Sequence, residues 1–168
     1  LRFLQTKGFG QFSSGNERLL DIQRSIRFKL GLTDDITTQV EYINNTDKNT
    51  APSNSIRNRD ILADEFLTDI AYRPIPDIES GLQFNFTRAT DYYPVVNTGA
   101  DINQQILRFI YSFVSVGRLR LEFERDEVLL SSNPINLPYE LTNGRVAGKS
   151  YFWRALLDYS ISKNIQAS

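Results

Sequence analysis

The chain has 168 residues, of which 19 are basic and 20 acidic, so its formal net charge is −1. This balance gives no overall field that would attract nucleic acid. There is no Cys and no His, which excludes disulfides and thiolate metal sites and removes the commonest general base and metal ligand. We therefore expect no cofactor, no metal centre, no nucleic-acid partner and no enzymatic activity.

The hydropathy pattern excludes a transmembrane helix. No stretch approaches the roughly 20 consecutive apolar residues that such a helix needs. The chain starts at Leu1 and shows no signal peptide, so we expect a mature or excised piece of a longer protein. A transmembrane β-barrel would give no hydropathy peak, because its strands alternate apolar and polar residues.

Alternation with a period of two is the dominant pattern, and it predicts β-strands. After a weaker first strand over residues 1–12, the even positions from Leu20 to Leu32 are mainly apolar while the odd positions from Asp21 to Lys29 are polar. Further segments repeat the pattern, and a short final strand is predicted at 165–168. These segments are 36–42, 62–72, 82–86, 107–113, 119–123 and 151–161.

The connections alternate in length. Tight turns are predicted at 33–35, 73–78, 116–118 and 162–164. Polar stretches rich in Pro, Asn, Ser and Thr lie between them at 44–60, 89–104 and 125–149, and predict long loops. One end of the sheet should therefore carry tight turns and the other end long loops.

The predicted turns also set a register, because opposed residues on antiparallel strands share a face. The first turn places Leu32 opposite Ile36 and Phe28 opposite Val40. A five-residue loop, Pro74–Ile78, places Ile70 opposite Leu82. The turn at 116–118 places Phe113 opposite Leu121 and Tyr111 opposite Phe123, and the last turn pairs Ile161 with Ile165. All four hairpins keep the apolar face continuous, so we predict an all-β, antiparallel up-and-down meander of about nine strands.

Three segments carry a resemblance to a known class of proteins: Arg27–Ile36, Gly81–Phe86 and Arg118–Glu124. With the turn asymmetry and the Tyr and Trp residues near strand ends, the chain resembles outer-membrane β-barrel proteins of Gram-negative bacteria. The resemblance is one of architecture and assigns no subfamily. It implies one barrel segment over residues 1–168, with the lipid bilayer and the rest of the barrel or other envelope subunits as partners. Because such barrels close with an even number of strands, about nine strands imply part of a larger barrel that does not close alone.

The resemblance also divides the strand residues between two environments. The residues expected to face a polar lumen are Arg27, Lys29, Gln83, Asn85, Arg118, Arg120, Glu122 and Glu124. The residues expected to face lipid are Phe28, Leu30, Leu82, Phe84, Phe109, Leu119, Leu121, Phe123, Trp153 and Leu157. The implied role is a pore, a transport or translocation channel, or a scaffold for surface loops.

Other interpretations remain open. A soluble antiparallel β-barrel or sandwich would bury the same apolar faces around a small apolar ligand. An enzyme acting through Asp64, Glu65 and Asp69 is a distant third, because nothing nearby would separate their pKa values. Residues 143–150 nearly match a phosphate-binding loop, but the motif requires a helix where a strand is predicted. Arg24 interrupts the apolar face, and in a barrel it should lie near the interface on the side of the long loops.

Overall fold

A computed structural model describes residues 2–11, 18–50, 58–93, 98–113, 116–132, 139–162 and 165–167. Within these ranges, residues 2–11, 18, 160–162 and 165–167 are described by their backbone alone. The sheet has seven strands, whereas about nine were expected. Two further strand segments beside it, at 2–11 and 165–167, are described by their backbone alone.

The strands follow one another along the chain with one short helix between the last two long strands. Their bounds are β1 Arg2–Gln11, β2 Arg18–Gly31, β3 Ile36–Thr50, β4 Arg59–Ile75, β5 Ile78–Asp91, β6 Thr98–Phe113, β7 Gly117–Leu130, α1 Tyr139–Thr142, β8 Gly148–Ser162 and β9 Ile165–Ala167. Every strand pairs antiparallel with the next one in the chain, so the spatial order equals the chain order. The predicted antiparallel meander is confirmed, and within the described residues its sheet is open.

The predicted register of the first hairpin is confirmed. Phe28 lies opposite Val40 and Arg24 opposite Asn44, as the three-residue turn requires. The Leu32 N–H donates to the Ile36 carbonyl oxygen at 2.9 Å, and the Ile36 N–H donates to Thr33 Oγ1 at 3.1 Å. The turn is therefore closed by a backbone hydrogen bond and a threonine hydroxyl.

The β4–β5 hairpin has the predicted register and a shorter turn. Ile70 lies opposite Leu82, as expected, but only Pro76 and Asp77 form the turn. The register shifts between Tyr72 and Ile75, and this irregularity absorbs the extra residues. The β8–β9 hairpin behaves similarly, with Ser160 opposite Gln166 and a shift before Ser162, while its turn lies outside the described residues.

The predicted register of the β6–β7 hairpin is wrong. Phe113 lies opposite Gly117 rather than Leu121, and Leu121 lies opposite Phe109. Gly117 is a strand residue at a close approach, since a Cβ built there would lie 2.2 Å from the Asp158 carbonyl oxygen. The two registers differ by four residues. An even difference leaves every side chain on the same face, so continuity of the apolar face does not distinguish them.

The strands also extend further into the polar stretches than predicted. In the three stretches expected to be loops, β3 continues to Thr50, β4 begins at Arg59, β5 continues to Asp91, β6 begins at Thr98 and β7 continues to Leu130. Charged pairs across neighbouring strands take the place of apolar alternation there. Lys48 Nζ lies 2.6 Å from Asp60, and Arg88 Nε donates to Asp101 at 2.9 Å. Hydrophobic periodicity ends where such pairs begin, although the backbone ladder continues.

The two faces of the sheet differ in burial, and the polar face is the inner one. We call the face that carries Glu41, Gln83 and Gln104 the inner face, and the face that carries Phe28, Phe84 and Phe123 the outer face. Every buried strand residue among those described lies on the inner face. They are Ser25, Glu41, Asn49, Ile61, Gly81, Thr87, Ala89, Asp91, Thr98, Ala100, Ile102, Gln104, Ile110, Asp126 and Val128. The sheet therefore curves around its polar face.

Candidate functional site

The inner face collects the residues predicted to line a polar lumen. The register places Arg27, Lys29, Gln83, Asn85, Arg118, Arg120, Glu122 and Glu124 together on this face. It also contains carboxylates that the prediction did not name, such as Glu41, which is 6% exposed. Their spacing of two residues along each strand is the signal that the sequence carried for them.

Charged side chains on the inner face pair across neighbouring strands. Arg27 contacts Glu41 at 2.6 Å, and Asn85 Nδ2 donates to Glu65 at 2.6 Å. Gln104 Nε2 donates to Glu124 at 2.5 Å. These pairs satisfy carboxylates that curvature removes from bulk solvent, since unpaired buried charges are costly.

One pair on the inner face depends on a glycine. The Arg108 guanidinium reaches from β6 across β5 to Asp69 on β4, with 3.5 Å between Nη2 and the carboxylate. The side chain passes over Gly81, and a Cβ there would lie 3.1 Å from Arg108 Nη2. The absent side chain at position 81 makes room for a contact between strands that are not neighbours.

The outer face collects the residues predicted to face lipid. The register places Phe28, Leu30, Leu82, Phe84, Phe109, Leu119, Leu121, Phe123, Trp153 and Leu157 there. All of them are exposed except Leu119, which is half-buried, and Trp153 is 81% exposed. Two further exposed apolar residues, Phe152 and Leu156 on β8, lie on the inner face instead.

The apolar band on the outer face has a polar border on the side of the long loops. One row of register partners runs from Arg24 through Asn44 and Asp64 to Arg88. Tyr42 Oη and Asn44 Nδ2 both donate to Asp64, at 2.5 and 2.9 Å. Arg24 is thus exposed at the edge of the band, where its partner Asn44 was expected to place it.

The sequence did not predict one element of the inner face. Residues 139–147, which we call the inward segment, begin with the four-residue helix α1 and fold onto the inner face. Leu141 is 1% exposed and packs with Ile61, Ala89 and Ala100. Leu141 is one buried leucine in a polar stretch without apolar alternation, so no sequence pattern indicated its position.

Ion pairs hold both ends of the inward segment. Glu140 lies 3.2 Å from Arg59, which also donates to Asp47 at 2.9 Å. Beyond the helix, Arg145 Nε donates to Asp126 at 3.0 Å. Asp47 lies on the part of β3 beyond the apolar band, where burial raises the pKa of its carboxyl and the Arg59 hydrogen bond opposes that rise.

The carboxylates considered for catalysis are not assembled into a site. Asp64 lies on the outer face with Tyr42 and Asn44, whereas Glu65 and Asp69 lie on the inner face with Asn85 and Arg108. No cluster of three or more acidic side chains in the described ranges is arranged to hold a metal ion.

The near match to a phosphate-binding loop lacks the helix that the motif requires. The residues after 147 form β8, so no helix N-terminus follows the loop.

Among the helices that the structure describes, none is long and apolar enough to cross a membrane. Comparison of the chain with family models, curated proteins and solved structures gave no match.

Proposed function

We propose that this chain forms part of the wall of a transmembrane β-barrel in the bacterial outer membrane. The outer face would contact lipid, and the inner face would line a polar lumen. The observation that carries the proposal is the inverted burial of the two faces. The buried strand residues lie on the polar face, while large apolar side chains are exposed on the other.

The exposed apolar surface argues for a lipid environment. A soluble monomer rarely exposes a contiguous apolar patch of more than a few hundred Å². Here such side chains cover the outer face of β2 to β8. A soluble β-barrel or sandwich around an apolar ligand would enclose this face, whereas two cavities open on the inner face beside charged residues such as Lys29, Asp69 and Glu65.

The apolar band has aromatic residues at its borders, as in transmembrane barrels. It runs from Ile36 to Tyr42 on β3 and from Tyr151 to Tyr159 on β8. At about 3.3 Å per residue these stretches are about 20 and 26 Å long along the strand. At a strand tilt of about 40° they would span about 15 and 20 Å of the membrane normal, which approaches the apolar band of about 25 Å in such barrels.

The polar border of the band is present on both halves of the sheet. On β2 to β5 it follows the one row of register partners from Arg24 to Arg88. On β6 the first polar residue of the outer face is Gln105, four residues nearer the tight turns than that row, and on β8 it is Lys149, two residues nearer. The outer face is therefore apolar near the tight turns and polar toward the long loops on both halves.

The mechanism of such a wall is passive. Hydrogen bonds of the strand ladder satisfy the backbone within lipid, where no water is available. The paired charges of the inner face keep the lumen hydrated and influence which solutes pass. The role would be a pore, a transport or translocation channel, or a scaffold for the surface loops.

Single cysteines at two adjacent positions test the proposal, because the chain has no native Cys. Leu121→Cys lies on the outer face and Glu122→Cys on the inner face. In native membranes, a water-soluble thiol reagent should label position 122, and only a lipid-phase reagent should label position 121. Protection of position 121 from both reagents, or recovery of the protein in the soluble fraction, would contradict the proposal.

A further inference from the structure

The inner face contains a groove that fits the inward segment. Ala63, Ala89 and Ala100 are register partners on β4, β5 and β6, so three small side chains form one row across three strands. Leu141 packs beside this row together with Ile61. Larger side chains in the row would fill the space that the leucine occupies.

The ion pairs show how the inward segment is oriented. Glu140 pairs with Arg59 on β4, and Arg145 pairs with Asp126 on β7. These strands are three spacings apart, or about 14 Å at 4.8 Å per strand. Along the strands, Arg59 lies four residues from the row of alanines toward the long loops, and Asp126 lies four residues from the same row, at Leu130, toward the tight turns. The segment therefore crosses the inner face obliquely instead of projecting beyond the end of the sheet.

The chain turns back directly after α1. Asn143 and Gly144 have φ angles of 52° and 73°, and the Gly144 N–H donates to the Tyr139 carbonyl oxygen at 3.0 Å. This left-handed turn returns the chain toward β7 at Arg145. Packing, two ion pairs and turn geometry thus act together to hold the segment on the inner face.

We propose that residues 139–147 form the constriction of the lumen and set the size of hydrophilic solute that passes. The inference rests on the proposed function. Between the segment and the wall, a cavity of about 230 Å³ remains, and Thr87 and Glu65 are among its lining residues. Any solute that moves along this wall has to pass the segment, so release of Leu141 from its groove widens the passage.

The experiment measures access to the wall behind the segment in native membranes. Thr87→Cys places a thiol on the inner face, where Thr87 is buried. Water-soluble maleimides of increasing size should label it slowly, and the larger ones more slowly than the smaller. Adding Leu141→Ser should speed labelling by about tenfold or more, because burial of the leucine side chain favours the seated state by at least that factor. Val146→Ser is the matched control, since Val146 is 77% exposed, and should leave the rate unchanged.

The outcomes separate this inference from the proposed function. Labelling at Glu122→Cys and Leu121→Cys is measured in parallel, with and without Leu141→Ser. If these positions show the lumen and lipid pattern while Leu141→Ser leaves the rate at position 87 unchanged, the barrel stands and the constriction is wrong. Rapid labelling of position 87 by the largest reagent in the unaltered background would also overturn it. If position 121 fails the lipid test, the proposed function fails and the constriction fails with it.

Discussion

Gly144 illustrates how one backbone position supports the inner face. Its φ of 73° lies in the left-handed region that favours glycine. A Cβ at this position would also lie 2.3 Å from Cε2 of the Tyr139 ring. Two separate constraints, one on the backbone and one on space, therefore favour glycine where the inward segment turns, and a larger residue would displace the exposed Tyr139 ring.

We expect Gly144→Ala to lower the free energy of unfolding by about 1–3 kcal/mol, through left-handed strain and displacement of the Tyr139 ring. Urea unfolding of the protein reconstituted in lipid measures the change. Val146→Ala, at an exposed neighbouring position, should change it by less than about 0.5 kcal/mol. In the double variant Gly144→Ala with Tyr139→Ala, the ring that the new methyl group would displace is absent. The double variant should therefore lose less unfolding free energy than the two single variants lose together. Equal stability of Gly144→Ala and the unaltered protein would contradict the account.

At the scale of the element, the β6–β7 hairpin shows the limit of face continuity as a guide to register. Both the predicted and the observed pairing keep Phe113 and Leu121 on one face. In the observed pairing Gly117 is a strand residue opposite Phe113 and close to the Asp158 backbone on β8, whereas the predicted pairing placed it in the turn. The alternation of apolar residues in the hairpin fits both pairings and so does not distinguish them.

Cysteine pairs distinguish the two registers. Phe109→Cys with Leu121→Cys places two cysteines directly opposite each other, with Cα atoms about 4.5–5.5 Å apart, within the range of a disulfide. Phe113→Cys with Leu121→Cys is the matched control, because an offset of four residues separates its Cα atoms by about 13 Å or more. We expect oxidation to form an intramolecular disulfide in the first variant only, as read by mass spectrometry. A disulfide in the second variant would restore the register that the sequence predicted.

For the whole molecule, the arrangement of the two faces decides the environment of the sheet. The inner face contains charge pairs such as Arg27 with Glu41, while the outer face leaves Phe84 and Phe123 exposed. Phe84 lies in the middle of the apolar band, between Leu82 and Phe86. Thr90 shares the outer face of β5 but lies beyond the polar border marked by Arg88.

Arginine substitutions on β5 should therefore depend on depth. In lipid, we expect Phe84→Arg to cost about 2–4 kcal/mol of unfolding free energy and Thr90→Arg about 0–1 kcal/mol. Gln83→Arg, on the inner face next to Phe84, should cost less than Phe84→Arg because its charge faces the hydrated side. Unfolding of the three variants from vesicles gives the comparison. Equal costs at positions 84 and 90 would mean that the outer face does not span a bilayer.

Much of the fold was accessible from alternation alone. The strands centred on Phe28, Val40 and Phe84, the antiparallel order and two of the registers followed from period and turn length. The positions of the strand ends could not be predicted in this way, because the strands continue through charged pairs such as Lys48 with Asp60, where no apolar residue marks them. Of the inner face, the sequence predicted the charged positions of the strands and missed the inward segment with Leu141.

By itself, the sequence determined which residues share a face, since side chains alternate along every strand whatever the sheet packs against. Only the tertiary structure decided which face is buried, because the same alternation allows either curvature. It also decided the β6–β7 register, where an even shift leaves the faces unchanged, and the position of Leu141, which depends on alanines from three separate strands. These features join residues far apart in the chain, and local periodicity carries no information about such contacts.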